Sequence, residues 1–98
     1  MQTVALETLQ QKAIHVLDVS QEDFLRSSIR SLLQDKLRSI NIERIATCRK
    51  YNVASIEELD SLIREGKVNE LLVDEDFQHV DFLTWKAREL ETLLQEIN

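Results

Sequence analysis

The sequence predicts an all-α protein of about four helices, with a long central helix packed against the C-terminal one. Three observations carry this expectation. The 98 residues include no proline and one glycine, so the residues that most often interrupt a helix are nearly absent. Leu, Glu, Gln, Arg and Lys, all good helix formers, dominate the stretches between the β-branched residues. Apolar residues recur at steps of three and four along most of the chain, which stacks them on one helical face. A chain of this length makes a single helical domain, 1–98, near the lower limit for a self-sufficient core. It divides into an N-terminal segment 1–19, a long basic helix 20–51 and an acidic helical half 52–98.

The first segment reads two ways. "TVALE" alternates like a short strand, while Leu6, Leu9, Ala13, Ile14 and Leu17 recur like a helix. Helix after about residue 6 is favoured, and a short N-terminal strand stays open. In "SQEDFLRSSIRSLLQDKL", Ser20 is placed to cap a helix, with Asp23 three residues later, and Leu25, Ile29, Leu32, Leu33 and Leu37 line one face. This helix is expected to reach Lys50 or Tyr51. Ser39 and Asn41 are weaker helix residues, and Ile42 and Ile45 leave the stripe, so a bend or a second contact surface is expected there.

"YNVASIEELDSLIREGKV" is well punctuated. Asn52 suits a left-handed stop, Ser55 caps, Glu58 completes a capping box and Gly66 ends the short helix Ile56 to Glu65. "KVNELLVDED" reads as a loop with room for a turn of helix, and Asp74 or Asp76 is placed to cap the final helix. In that helix Val80, Leu83, Ala87, Leu90, Leu94 and Ile97 form a core stripe. Phe82, Trp85 and Leu93 fall roughly opposite, on the side that a surface helix normally fills with charge. Something should cover them.

Net charge is −6, unevenly spread. Residues 21–51 hold seven basic and four acidic groups, whereas residues 52–98 hold four basic and twelve acidic ones. The acidic half suits a basic partner as well as a plain solvated surface. One cysteine, Cys48, excludes an internal disulfide, and no apolar run is long enough to span a bilayer. A cytoplasmic protein with no membrane partner is expected.

Catalytic chemistry has few candidates. Asp76-x-x-His79, beside Glu75 and Asp81, could present a metal on one helix face, but His15 stands at an unmatched spacing. Glu57, Glu58 and Asp60 could be read as magnesium ligands of a pyrophosphohydrolase, although the capping box already accounts for Glu58. Arg49 and Lys50 could lower the Cys48 thiol pKa, but no histidine lies near in sequence to activate it. No catalytic, metal or cofactor-binding residue is therefore assigned, and no cofactor is expected. Ahead of a small metal-dependent hydrolase stands the runner-up reading, a dimeric, ribbon-helix-helix-like DNA-binding regulator in residues 3–37. Its strand would offer Thr3, Ala5 and Glu7 in place of base-reading side chains, with Arg26, Arg30, Arg38 and Arg44 left for phosphates. DNA is not favoured.

"DKLRSINIERIATCRKYNVASIEELDSLIREGKVNE" followed by "DFLTWKARELETLLQEI" resembles small prokaryotic antitoxins and antitoxin-like partners of toxin-antitoxin modules. The likeness covers about residues 20–98 and rests on a basic helix ending in "RKYNV", a capped short helix and an acidic last helix with a tryptophan. It implies a non-enzymatic protein that neutralises a toxin, often a ribonuclease, by laying an acidic helix over its basic surface. Phe82, Trp85 and Leu93 would then be the apolar anchors, with Asp81 and Glu89 in the acidic set around them. Self-association is expected as well, since two apolar faces on one helix leave much surface to cover.

Overall fold

The computed structural model describes residues 5–98. Four helices follow one another: α1 (Leu6–Leu17), α2 (Gln21–Arg49), α3 (Ile56–Arg64) and α4 (Glu70–Ile97). No strand occurs among the described residues. Of "TVALE", Thr3 and Val4 lie outside them, Ala5 is extended, and Leu6 and Glu7 open α1. The chain forms two compact units, Met1–Leu32 and Leu33–Asn98, so the division falls inside α2.

Local chemistry sets most helix ends. Ser20 Oγ accepts from the Asp23 amide at 3.0 Å, and Ser55 Oγ accepts from the Glu58 amide at 3.1 Å. Glu58 reaches back to the Ala54 amide at 2.9 Å, one residue before the cap, which completes the reciprocal arrangement. The first three helices stop on left-handed residues: Asp18 (φ 57°), Asn52 (φ 57°) and Gly66 (φ 69°). Each stop carries the same backbone bond across five residues: Val19 to Ile14 at 3.3 Å, Val53 to Cys48 at 3.2 Å, and Lys67 to Leu62 at 3.0 Å. These bonds satisfy carbonyls that a helix end otherwise leaves orphaned.

The start of α4 differs from the sequence expectation. "KVNELLVDED" is largely helical, and neither Asp74 nor Asp76 is the cap. The Asn69 side chain takes that place, accepting from the Leu71 amide at 2.9 Å. Val73 explains why the helix begins there. It lies seven residues before Val80, two turns back on the same face, and is completely covered, so the core stripe extends through a segment whose acidic residues look like loop.

In the unit Leu33–Asn98, Ile40 of α2 joins Leu83, Ala87 and Leu90 of α4 in one buried cluster, with Leu33 and Leu37 packed against it. The predicted pairing of the long helix with the last one is thus present. Helix α3 lies against α4, and its Leu59 is completely covered. Leu94 and Ile97, at the end of the stripe, are half-buried. Helix α2 continues through Ser39 and Asn41, with Ile40 buried between them and Ile42 and Ile45 exposed.

The unit Met1–Leu32 is differently made. No residue of α1 is buried, and the buried residues of α2, Ile40, Thr47 and Cys48, all lie beyond Leu32. Of the expected α2 stripe only Leu33 and Leu37 reach a core, while Leu25, Ile29 and Leu32 stay exposed.

Candidate partner-binding surface

Helix α4 buries Val80, Leu83, Thr84, Ala87 and Leu90 on its inner side, and Thr84 turns its hydroxyl to the Val80 carbonyl at 2.7 Å. That bond satisfies the one polar side chain in the stripe, so the inner face needs nothing more. The outer face is unlike it. Phe82, Trp85 and Leu93 are 54 %, 56 % and 45 % exposed.

The two rings meet at a centroid distance of 6.1 Å, tilted by 33°, and Lys86 Nζ stands 6.0 Å from the Phe82 ring centre. Such a pair presents an apolar platform with a cation over one of its rings. Glu89 follows Trp85 by one turn and precedes Leu93 by another, so the stripe reads aromatic, aromatic, acid, aliphatic. Asp81 and Glu89 are both exposed. Beside Phe82 a shallow recess of about 100 Å³ opens towards Lys36, Ser39 and Glu43 of α2. All five residues read from the sequence as partner-binding therefore lie on the solvent side of α4.

The titratable groups that suggested chemistry are engaged otherwise. Tyr51 Oη donates to Asp76 Oδ2 at 2.5 Å, and Lys50 Nζ stands 3.4 Å from Asp76 Oδ1. The Tyr51 hydrogen bond, helped by Lys50, holds the Asp76 carboxyl below its usual range against the opposing effect of burial. The same bond pushes the Tyr51 phenol up to about 12. His79 Nε2 lies 3.0 Å from Glu43 Oε1, so Asp76 and His79 turn to different partners on or just after α2. Among the described residues no three His, Cys, Asp or Glu side chains are grouped to hold a metal ion. Glu58 serves the cap of α3, and Asp60 pairs with Arg64 at 2.5 Å.

Cys48 is buried, and that burial pushes its thiol up although Arg44 opposes the shift. Arg49 and Lys50, its neighbours in sequence, are not among the charges that shift it. Arg44, one helical turn earlier, is the cation that acts on it. Arg26 and Arg38 pair with Glu22 and Asp35 at 3.2 and 3.1 Å, and Arg44 donates to Asn41 at 2.9 Å. No described helix is long and apolar enough to cross a membrane.

The sequence reading missed the polar junction of Lys50, Tyr51 and Asp76. Its partners lie 25 and 26 residues apart, beyond the reach of any helical period. The tyrosine directly after two cations at a helix end was the only local cue.

The chain belongs to the Uncharacterized protein MJ0235 family, whose profile matches residues 1–98. It is similar to the Uncharacterized protein MJ0235 of Methanocaldococcus jannaschii, at 27 % identity over 77 residues, covering 79 % of this chain and 94 % of that protein. No solved structure matches the chain.

Proposed function

We propose that this protein acts by stoichiometric binding, presenting the outer face of α4 to a basic protein partner in the manner of an antitoxin-like module. One observation carries the reading. Phe82 and Trp85 form an exposed ring pair on a helix whose opposite face already seats it on its own core. An exposed aromatic pair of this kind is the usual anchor of an interface, and the surrounding charges steer the partner. Helix α4 carries eight acidic and two basic residues, so the partner it attracts is cationic, as a toxin ribonuclease with a basic active surface would be. The DNA-binding alternative draws less support, because Leu6 and Glu7 are helical and Arg26, Arg38 and Arg44 already have partners within the chain. The hydrolase alternative lacks grouped carboxylates among the described residues.

The test first identifies the protein that co-purifies with the chain from its native cell, then compares its affinity for two substituted chains by calorimetric titration. Trp85→Ala is expected to leave the melting temperature of the isolated chain nearly unchanged and to cost about 2 kcal/mol or more in affinity. Leu90→Ala, in the buried cluster, is expected to cost roughly 2–5 kcal/mol in stability. Equal loss of stability in both variants would place Trp85 in the core and remove the proposal's main support.

A further inference from the structure

We propose that the unit Met1–Leu32 is a dimerisation element, covered by the same unit of a second copy of this chain. The inference stands apart from the partner surface on α4 and survives its failure.

Two helices in this unit share no buried residue, yet seven of their large aliphatic side chains, and Val19 between the helices, are 38–81 % exposed. They are not scattered. Leu25, Ile29 and Leu32 follow at steps of four and three along α2, and Leu9 and Val16 lie two turns apart on α1 with Leu6 beside them. Beside these stripes lies a groove of about 470 Å³, lined by Leu17, Val19, Phe24 and Leu32 with three serines and Asp23. Small serines let another helix approach closely.

The area fits a second copy. A large aliphatic side chain offers roughly 60–120 Å² of apolar surface on the usual burial scale, so the exposed fraction of this set amounts to about 300–600 Å² per copy. A standard, non-obligate interface buries about 800 Å² per partner, of which roughly 450 Å² is apolar. Supply and requirement agree.

Charge selects this occupant over others. Residues 1–32 carry four acidic and three basic groups, close to neutral, so two copies meet here without repulsion. Helix α4, with eight acidic and two basic residues, would repel its own copy along its outer face. A cationic protein or an anionic surface finds no strong attraction in the first unit, whereas a neutral apolar face is suited to itself.

Sedimentation equilibrium on the full chain tests this. The protein is expected to be a dimer at micromolar concentration, and Leu9→Gln with Ile29→Gln is expected to raise the dissociation constant by at least about tenfold. Glutamine keeps helix propensity, so far-ultraviolet circular dichroism should be unchanged. Trp85→Ala should leave the dimer intact. Amide exchange on the unaltered chain supplies a reading that needs no variant: protection across residues 6–32 should grow with protein concentration. A monomer at high micromolar concentration would overturn the proposal, leaving the face to a different protein or to lipid. So would a dimer indifferent to the double substitution, or concentration-dependent protection confined to Phe82 through Leu93.

Discussion

At the level of single residues, Tyr51 and Asp76 form a short polar contact between distant parts of the sequence, with oxygen atoms 2.5 Å apart. Their shifted pKa values fix how its contribution varies with pH. Asp76 holds its proton less tightly folded than unfolded, so its stabilisation is present above the unfolded carboxyl pKa and is lost as pH falls through the lower folded value. Tyr51 holds its proton more tightly folded, so its share is present below the ordinary phenol value and is lost as pH rises towards about 12. Tyr51→Phe is therefore expected to cost about 1–2 kcal/mol at neutral pH, with the difference from the unaltered protein shrinking in acid and in strong alkali. Urea unfolding at the three pH values measures it; a cost that stayed constant into acid would assign the effect to packing of the ring. Periodicity cannot reveal such a bond, because it joins residues 25 apart. Phe82, Trp85 and Leu93 were legible for the opposite reason: a helix sets their side from spacing within three turns.

Helix boundaries in this chain are set by residues that can be removed singly. Gly66 sits at φ 69° with open space where a Cβ would go, so its requirement is conformational and not steric. Gly66→Ala should cost about 1 kcal/mol, while Gly66→Asn should cost less, since Asn52 already holds the equivalent place at the end of α2. Ser55→Ala, at the other end of α3, should cost about 1 kcal/mol through loss of the Glu58 amide partner. Urea midpoints with unchanged slopes would check all three; an alanine at position 66 without effect would mean that the turn relaxes. Ser20, Ser55, Asn52 and Gly66 announce themselves in the sequence because a cap or a left-handed stop needs one residue type at one place. Asp18 and Asn69 were overlooked. Asp18 makes its left-handed turn without glycine, and Asn69 precedes a helix whose first turns carry Glu70, Asp74, Glu75 and Asp76 beside exposed Leu71 and Leu72. Only the burial of Val73, a tertiary event, shows that those turns belong to the core.

At the scale of the whole molecule, uneven charge and uneven burial mark two different surfaces, and salt should separate them. The net charge of −6 resides almost wholly after residue 32, where fourteen acidic groups face nine basic ones. Raising salt from about 0.1 M to about 1 M shortens the screening length from about 10 Å to about 3 Å, which weakens attraction between exposed opposite charges. Binding of a cationic partner to α4 should therefore weaken with salt, chiefly through a slower association rate, and Glu89→Gln should reduce that dependence without changing the melting temperature. Self-association through the nearly neutral first unit draws on apolar area, which salt leaves unchanged or strengthens. Stopped-flow association with the basic partner, set beside sedimentation of the chain alone over the same salt series, reads the two responses. Opposite responses would mean that one chain carries an electrostatic surface and a hydrophobic one. A parallel weakening of both would mean that charge also governs self-association, and the assignment of the first unit to a second copy would fall with it.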